Sequence, residues 1–74
     1  MRTNYIIYRE VEGTTEKVFT ASTKREIEMV FNRYMKRISK DSDYIVENIR
    51  FGYSRVTFCG TFARVIEEYW IARA

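Results

Sequence analysis

The hydrophobic residues of this chain recur with two different spacings, and these predict strands around one helix. Four short stretches rich in β-branched and aromatic residues have the character of strands, and they are residues 4–11, 16–21, 44–51 and 55–59. Between the second and third stretches the apolar residues recur every three to four positions, which is the spacing of a helix. The pattern therefore predicts two strands, a helix and at least two further strands.

The first two strands are expected to form a hairpin. Gly13 is followed by a polar residue, which suits a two-residue type II′ turn in which glycine takes a positive φ. This turn would pair Glu10 with Lys17 and Tyr8 with Phe19. An opposite-charge pair and an aromatic pair across the strands both favour that register.

The helix has a clear start and a clear apolar side. Thr23 and Glu26 have the spacing of a capping box, in which each side chain bonds the other residue's backbone N–H. The pattern predicts a helix over 24–39, ending at a polar turn. The residues expected to be buried on its apolar side are Ile27, Phe31, Tyr34 and Ile38.

The C-terminal segment fits two structures. Its apolar residues match a helical spacing, but they also match one face of a strand, with only Glu67 out of place. A tight turn at residues 60–61 would pair Val56 with Val65 and Phe58 with Ala63, which makes a sensible apolar face. We favour the strand.

These elements predict an α+β fold in a single domain covering residues 1–74. We expect an antiparallel β-sheet of four to five strands with one amphipathic helix packed on it, in the order ββαβββ. A helix in residues 62–73 would instead give the order ββαββα.

Composition excludes most catalytic chemistry. The 74 residues include no histidine, a single cysteine and three isolated glycines. The chain therefore lacks a Ser–His or Cys–His pair, a paired-cysteine metal site and a glycine-rich phosphate loop. We predict that it is not an enzyme, and we expect no metal and no cofactor.

The hydropathy pattern also bears on location. No apolar run approaches the length needed to span a membrane, and the first residues lack the long apolar segment of a signal peptide. We expect a cytoplasmic protein that makes no contact with a membrane.

The charge of the chain is concentrated on the helix. The net charge is +3, from 13 basic and 10 acidic residues. Five basic residues fall opposite the apolar side of the helix, and we call this set the cationic ridge: Arg25, Arg33, Lys36, Arg37 and Lys40. It is either an ordinary solvated surface or a contact surface for phosphates or for a carboxylate-rich protein.

A second candidate surface lies on the C-terminal hairpin. Aromatic and arginine residues are enriched at binding hot spots, and one face of this hairpin would carry Arg55, Phe62, Arg64, Ile66 and Trp70. A single helix cannot cover both faces of a sheet, so one face keeps its aromatic residues exposed. We expect that face to contact a partner or a second copy, and we predict a homodimer.

The small size, the cytosolic character and the absence of catalytic motifs resemble those of the small single-domain phage proteins that inhibit host defence, such as anti-CRISPRs. The resemblance implies a viral protein that acts in the host cytoplasm by blocking another macromolecule. Many such inhibitors are acidic mimics of nucleic acid, and the positive net charge of this chain departs from that pattern.

The sequence therefore predicts a non-enzymatic, macromolecule-binding protein, most simply a small protein-binding inhibitor or adaptor. One alternative is a nucleic-acid-binding module that uses the basic side of the helix. Another is a dimer that sequesters a nucleotide or another small ligand with its arginine and tyrosine side chains.

Overall fold

The computed structural model describes residues 4–74 and shows an α+β fold in the order ββαβββ, with one helix on a five-stranded antiparallel sheet. The strands are β1 Tyr5–Val11, β2 Thr14–Ala21, β3 Tyr44–Arg50, β4 Tyr53–Cys59 and β5 Arg64–Arg73. The helix, α1, spans Lys24–Ser39. The strand order across the sheet is β2-β1-β5-β4-β3.

The C-terminal segment is the central strand of the sheet. β5 pairs with β1 on one side and with β4 on the other, and so joins the two hairpins. This confirms the strand and rules out the ββαββα order. A central strand forms backbone hydrogen bonds with a neighbouring strand on each side. The β-branched and aromatic residues of β5 favour such a position.

The predicted bounds of the helix are confirmed, and of the predicted capping box the described residues show the Thr23 half but no hydrogen bond from the Thr23 N–H to the Glu26 side chain. The Thr23 hydroxyl accepts a hydrogen bond from the backbone N–H of Glu26 at 3.2 Å. Ile27 and Phe31 are buried, as predicted, but the third buried helix residue is Met35. Tyr34 and Ile38, which were expected to be buried, are half-buried and pack at the margin of the core.

The core lies between α1 and one face of the sheet. The helix contributes Ile27, Phe31 and Met35. The sheet contributes Ile7, Ala21, Val56 and Tyr69. Because side chains alternate along a strand, the residues next to these in β1, β4 and β5 lie on the opposite face. That opposite face is called the open face below.

The first hairpin turns one residue earlier than predicted. Its central residues are Glu12 and Gly13, with φ values of 51° and 83°, and two positive φ values are typical of a type I′ turn. The predicted pairs of Glu10 with Lys17 and of Tyr8 with Phe19 are therefore wrong. Tyr8 lies opposite Lys17, after an irregularity in the pairing between Ile7 and Tyr8.

The C-terminal hairpin has a longer loop than predicted. Residues 60–63 form a four-residue connection, closed by a 2.9 Å hydrogen bond from the Gly60 N–H to the Ala63 carbonyl. Phe58 therefore pairs with Val65, and Val56 with Glu67. The shift is two residues, so every side chain keeps its predicted face.

Truncation of Phe31 tests the helix orientation. Phe31→Ala removes a buried ring from the centre of the core, and we expect it to lower the free energy of unfolding by about 3–5 kcal/mol. Urea denaturation followed by circular dichroism measures the change. Met29→Ala, on the exposed side of the same helix, is the control and should stay within about 0.5 kcal/mol. Equal midpoints for the two variants would contradict this packing.

Candidate functional site

A band of side chains crosses all five strands of the open face. Pairing places Lys17, Tyr8, Trp70, Tyr53 and Arg50 side by side in that order. The rings of Tyr8 and Trp70 are stacked with centroids 5.7 Å apart, and the Arg50 guanidinium lies 5.4 Å from the centroid of the Tyr53 ring. We call these five residues the aromatic band. It is three aromatic rings with a cation at each end.

The neighbouring row of the open face carries charges of both signs. It runs across four strands as Glu10, Glu68, Arg55 and Glu47. The Tyr53 hydroxyl donates a hydrogen bond to Glu68, which raises the pKa of Tyr53. Arg55 Nη2 lies 3.9 Å from Glu68 Oε2. The face thus combines aromatic surface with charges that partly neutralise one another.

Four of the five residues predicted for the aromatic and arginine face lie on this open face: Arg55, Arg64, Ile66 and Trp70. Ile66 is 51% exposed, and Trp70 is half-buried against Tyr8. Phe62 is the exception. It lies in the loop at residues 60–63, outside any strand, and is 99% exposed. The prediction placed it in β5 because it assumed a two-residue turn.

The cationic ridge is fully on the surface. All five of its residues, Arg25, Arg33, Lys36, Arg37 and Lys40, are exposed. The helix has one ion pair, at 4.0 Å between Lys24 and Glu28, and it involves no ridge residue. Among residues 4–74, no ridge cation forms a salt bridge with an acidic side chain. The ridge therefore presents uncompensated positive charge.

Apolar side chains lie beside the ridge. Phe19 is 42% exposed and Met29 is 43% exposed. Phe19 and Val30 form part of a shallow groove of about 300 Å³ whose cationic wall includes Arg33. A second groove of about 450 Å³ contains Met29 and Val30, and Arg33 lines it too. Two partly apolar grooves therefore lie directly beside the cations of the ridge.

Sequence reasoning missed a third cluster, around Glu67. This carboxylate is buried on the core side of β5. Its Oε1 accepts hydrogen bonds from Arg9 Nε at 2.6 Å and from the Tyr69 hydroxyl at 2.8 Å. Arg9 also donates through Nη1 to Glu16 at 2.7 Å. The sequence feature that pointed to this cluster was Glu67, the single acid on the otherwise apolar face of the strand. Its partner Arg9 is 58 residues away in the sequence.

Contacts within the cluster raise the pKa of Arg9 and the pKa of Tyr69. Hydrogen bonds from Arg9 to Glu67 and then to Glu16 raise the pKa of the guanidinium, so Arg9 stays charged. Burial, and then the hydrogen bond to Glu67, raise the pKa of Tyr69 well above its ordinary value. Tyr69 therefore remains a neutral hydrogen-bond donor.

The Glu67 cluster borders a groove of about 500 Å³ near the C-terminal end of α1. Its lining includes Arg9 and Glu67 from the cluster and three tyrosines, Tyr34, Tyr44 and Tyr69. Arg37 and Asp41 contribute one charge of each sign. This volume falls in the range of small-molecule sites.

Three other features of the described residues bear on function. In the part of the chain that the structure describes, no three His, Cys, Asp or Glu side chains come together as metal ligands. Cys59 is a free, half-buried thiol. The helix that the structure describes, α1, is not long and apolar enough to cross a membrane.

Raised pH tests the Glu67 cluster. The pKa of Tyr69 lies above its ordinary value of 10.0 in the folded state, so the contribution of Tyr69 to stability is complete below about pH 10 and is lost as the pH rises further. We expect the free energy of unfolding of the wild type to fall more steeply above pH 10 than that of Tyr69→Phe. Denaturant titrations at several pH values measure both slopes. Parallel profiles would contradict the shift.

No protein-family model matches the chain, no curated protein matches its sequence, and no solved structure matches its fold.

Proposed function

We propose that this chain is a non-enzymatic protein-binding module of the small inhibitor or adaptor type, and that its cationic ridge docks on an acidic protein surface. The observation that carries the proposal is the set of five exposed cations on one side of α1, none of which forms a salt bridge with an acidic side chain in residues 4–74. Such a surface attracts anions and repels its own copy.

The apolar side chains beside the ridge favour a protein over a nucleic acid. A phosphate backbone is matched by cations alone, and its affinity comes mainly from released counterions. Protein interfaces combine an apolar centre with arginine. Phe19, Met29 and Val30 provide apolar surface between the ridge arginines. A partner with apolar side chains flanked by carboxylates would fill both grooves.

The open face supports a second copy of the chain as its occupant. Its paired rows contain the cations Lys17, Arg50, Arg55 and Arg64 and the acids Glu10, Glu47 and Glu68. Because both signs are present in nearly equal number, this face can oppose itself without strong repulsion. We propose a homodimer in which the open faces stack and the two ridges point away from each other.

A non-catalytic contact surface of this kind agrees with the resemblance to phage inhibitors of host defence. An inhibitor that blocks a protein surface needs a rigid contact area and no catalytic group. The positive charge of the ridge favours an acidic host protein as the target. If the chain is encoded by a phage, its place of action is the host cytoplasm.

Charge reversal tests the ridge. Arg33→Glu, Lys36→Glu and Arg37→Glu together should abolish binding to the protein partner, because three attractions become repulsions. All three side chains are exposed, so the melting temperature should change little. The measurement is affinity capture from a bacterial lysate, with and without nuclease treatment, with wild type and variant as parallel baits.

The matched control carries the same charge change on the sheet. Arg50→Glu, Arg64→Glu and Arg73→Glu reverse three exposed strand cations outside α1. Arg50 and Arg64 belong to the open face, so this control is expected to weaken the homodimer while it leaves the ridge and its capture of the partner intact. A protein captured by the wild type and the control, but not by the ridge variant, supports the proposal. Retention of that protein by the ridge variant contradicts it. Capture that nuclease abolishes, with a steep salt dependence, would favour nucleic acid instead.

Light scattering tests the homodimer. We expect a molar mass twice that of one chain at micromolar concentration, and Trp70→Glu should return it to the monomer by placing an unpaired charge in the interface. Ile45→Glu, at the edge strand β3, is the control and should weaken the dimer less. A monomer mass for the wild type, with water-exposed Trp70 fluorescence, would refute the dimer and leave the open face to another protein.

A further inference from the structure

The groove that borders the Glu67 cluster has one carboxylate oxygen left over. Glu67 Oε1 accepts two hydrogen bonds, whereas Oε2 accepts none from the described residues. Within residues 4–74, every fully buried side-chain nitrogen or oxygen has a partner. Oε2 is therefore not sealed in the core. It is a solvent-accessible acceptor on a side chain that is only 10% exposed, in a residue that lines the groove.

The groove lining carries two cations and two carboxylates. Arg9 is shared between two carboxylates, Glu16 and Glu67. Asp41 and Arg37 also line the groove and contribute one charge of each sign, without forming a salt bridge with each other. Glu16, which lies outside the lining, shares the charge of Arg9, and it is the Glu67 oxygen without a donor, not a net charge, that favours a ligand with an ammonium group.

Aromatic rings complete the lining. The rings of Tyr34 and Tyr69 have centroids 5.4 Å apart and are tilted by 48°. Tyr44, which packs against Phe58, lines the groove from β3. The faces of tyrosine rings attract organic cations through their quadrupole and also bury apolar carbon.

We propose that this groove binds a small molecule that carries an ammonium group on an apolar body. The ammonium donates a hydrogen bond to Glu67 Oε2, and the apolar part contacts Tyr34 and Tyr44. The inference does not rest on the ridge docking proposed above. The same chemistry is offered by a free amine and by the lysine side chain of a peptide, so both are tested.

The experiment is an NMR titration of the whole chain with benzylamine. We expect saturable shifts at Tyr34, Tyr44 and Tyr69, and no saturable shifts with benzyl alcohol, which has the same shape without the charge. The tripeptide Gly-Lys-Gly, acetylated at its N-terminus and amidated at its C-terminus so that the lysine side chain is its one ammonium group, is the second arm. Saturation by either amine supports the ammonium site, and their relative affinities distinguish a free amine from a side chain.

Substitution then assigns the acceptor. Glu67→Gln keeps a carbonyl oxygen for Arg9 and Tyr69 but removes the charge, and it should weaken benzylamine binding by about tenfold or more. Should that variant fail to fold, Asp41→Asn on the exposed rim should still weaken binding by about twofold to fivefold. Glu47→Gln on β3, whose side chain belongs to the open face, is the matched control and should leave binding unchanged.

Three results would overturn the proposal. The first is the absence of saturable shifts at the groove tyrosines with both amines. The second is equal binding of benzyl alcohol, which would make the groove merely apolar. The third is saturation by adenosine monophosphate in place of benzylamine, which would assign the groove to a nucleotide held by Arg9 and Arg37.

Discussion

The packing of one helix against a five-stranded sheet determines the rest of this structure. The 16 residues of α1 extend about 24 Å, and they form one layer over one face of a sheet that is about 19 Å between its outer strands. Ile27, Phe31 and Met35 fill that layer. Nothing else in residues 4–74 covers the second face, which is why a band of three aromatic rings lies outside the core.

The two exposed surfaces differ in the charges that they carry. The cationic ridge has one sign of charge, so it repels its own copy, and the partner proposed for it is anionic. The open face has both signs around its aromatic band, so it can face itself. The Glu67 cluster forms a third environment, in which a shared guanidinium holds a carboxylate inside the protein. The charge of each surface depends on how near its acidic side chains lie to its basic ones.

Much of the fold could be predicted because its signals are local. Thr23 and the apolar spacing of α1 specify the helix within a few residues, and alternation assigns the faces of the strands. The turns were harder to predict. Glu12 takes a positive φ, which is uncommon for residues other than glycine, so the sequence favoured a turn centred one residue later. The longer loop that excludes Phe62 from β5 is closed by a backbone hydrogen bond from Gly60 to Ala63, and a backbone contact of this kind leaves no mark in the side-chain pattern. The pairing of Arg9 with Glu67 depends on the long-range register of β1 with β5, which no local pattern contains.

The most direct test of the two-surface account is hydroxyl-radical footprinting of the chain at increasing protein concentration. Trp70 reports on the open face and Met29 on the exposed side of α1. Stacked open faces predict that oxidation of Trp70 falls as the protein self-associates, while oxidation of Met29 stays constant. Constant oxidation of Trp70 at every concentration, or protection of Met29 in its place, would contradict the division of roles between the two surfaces.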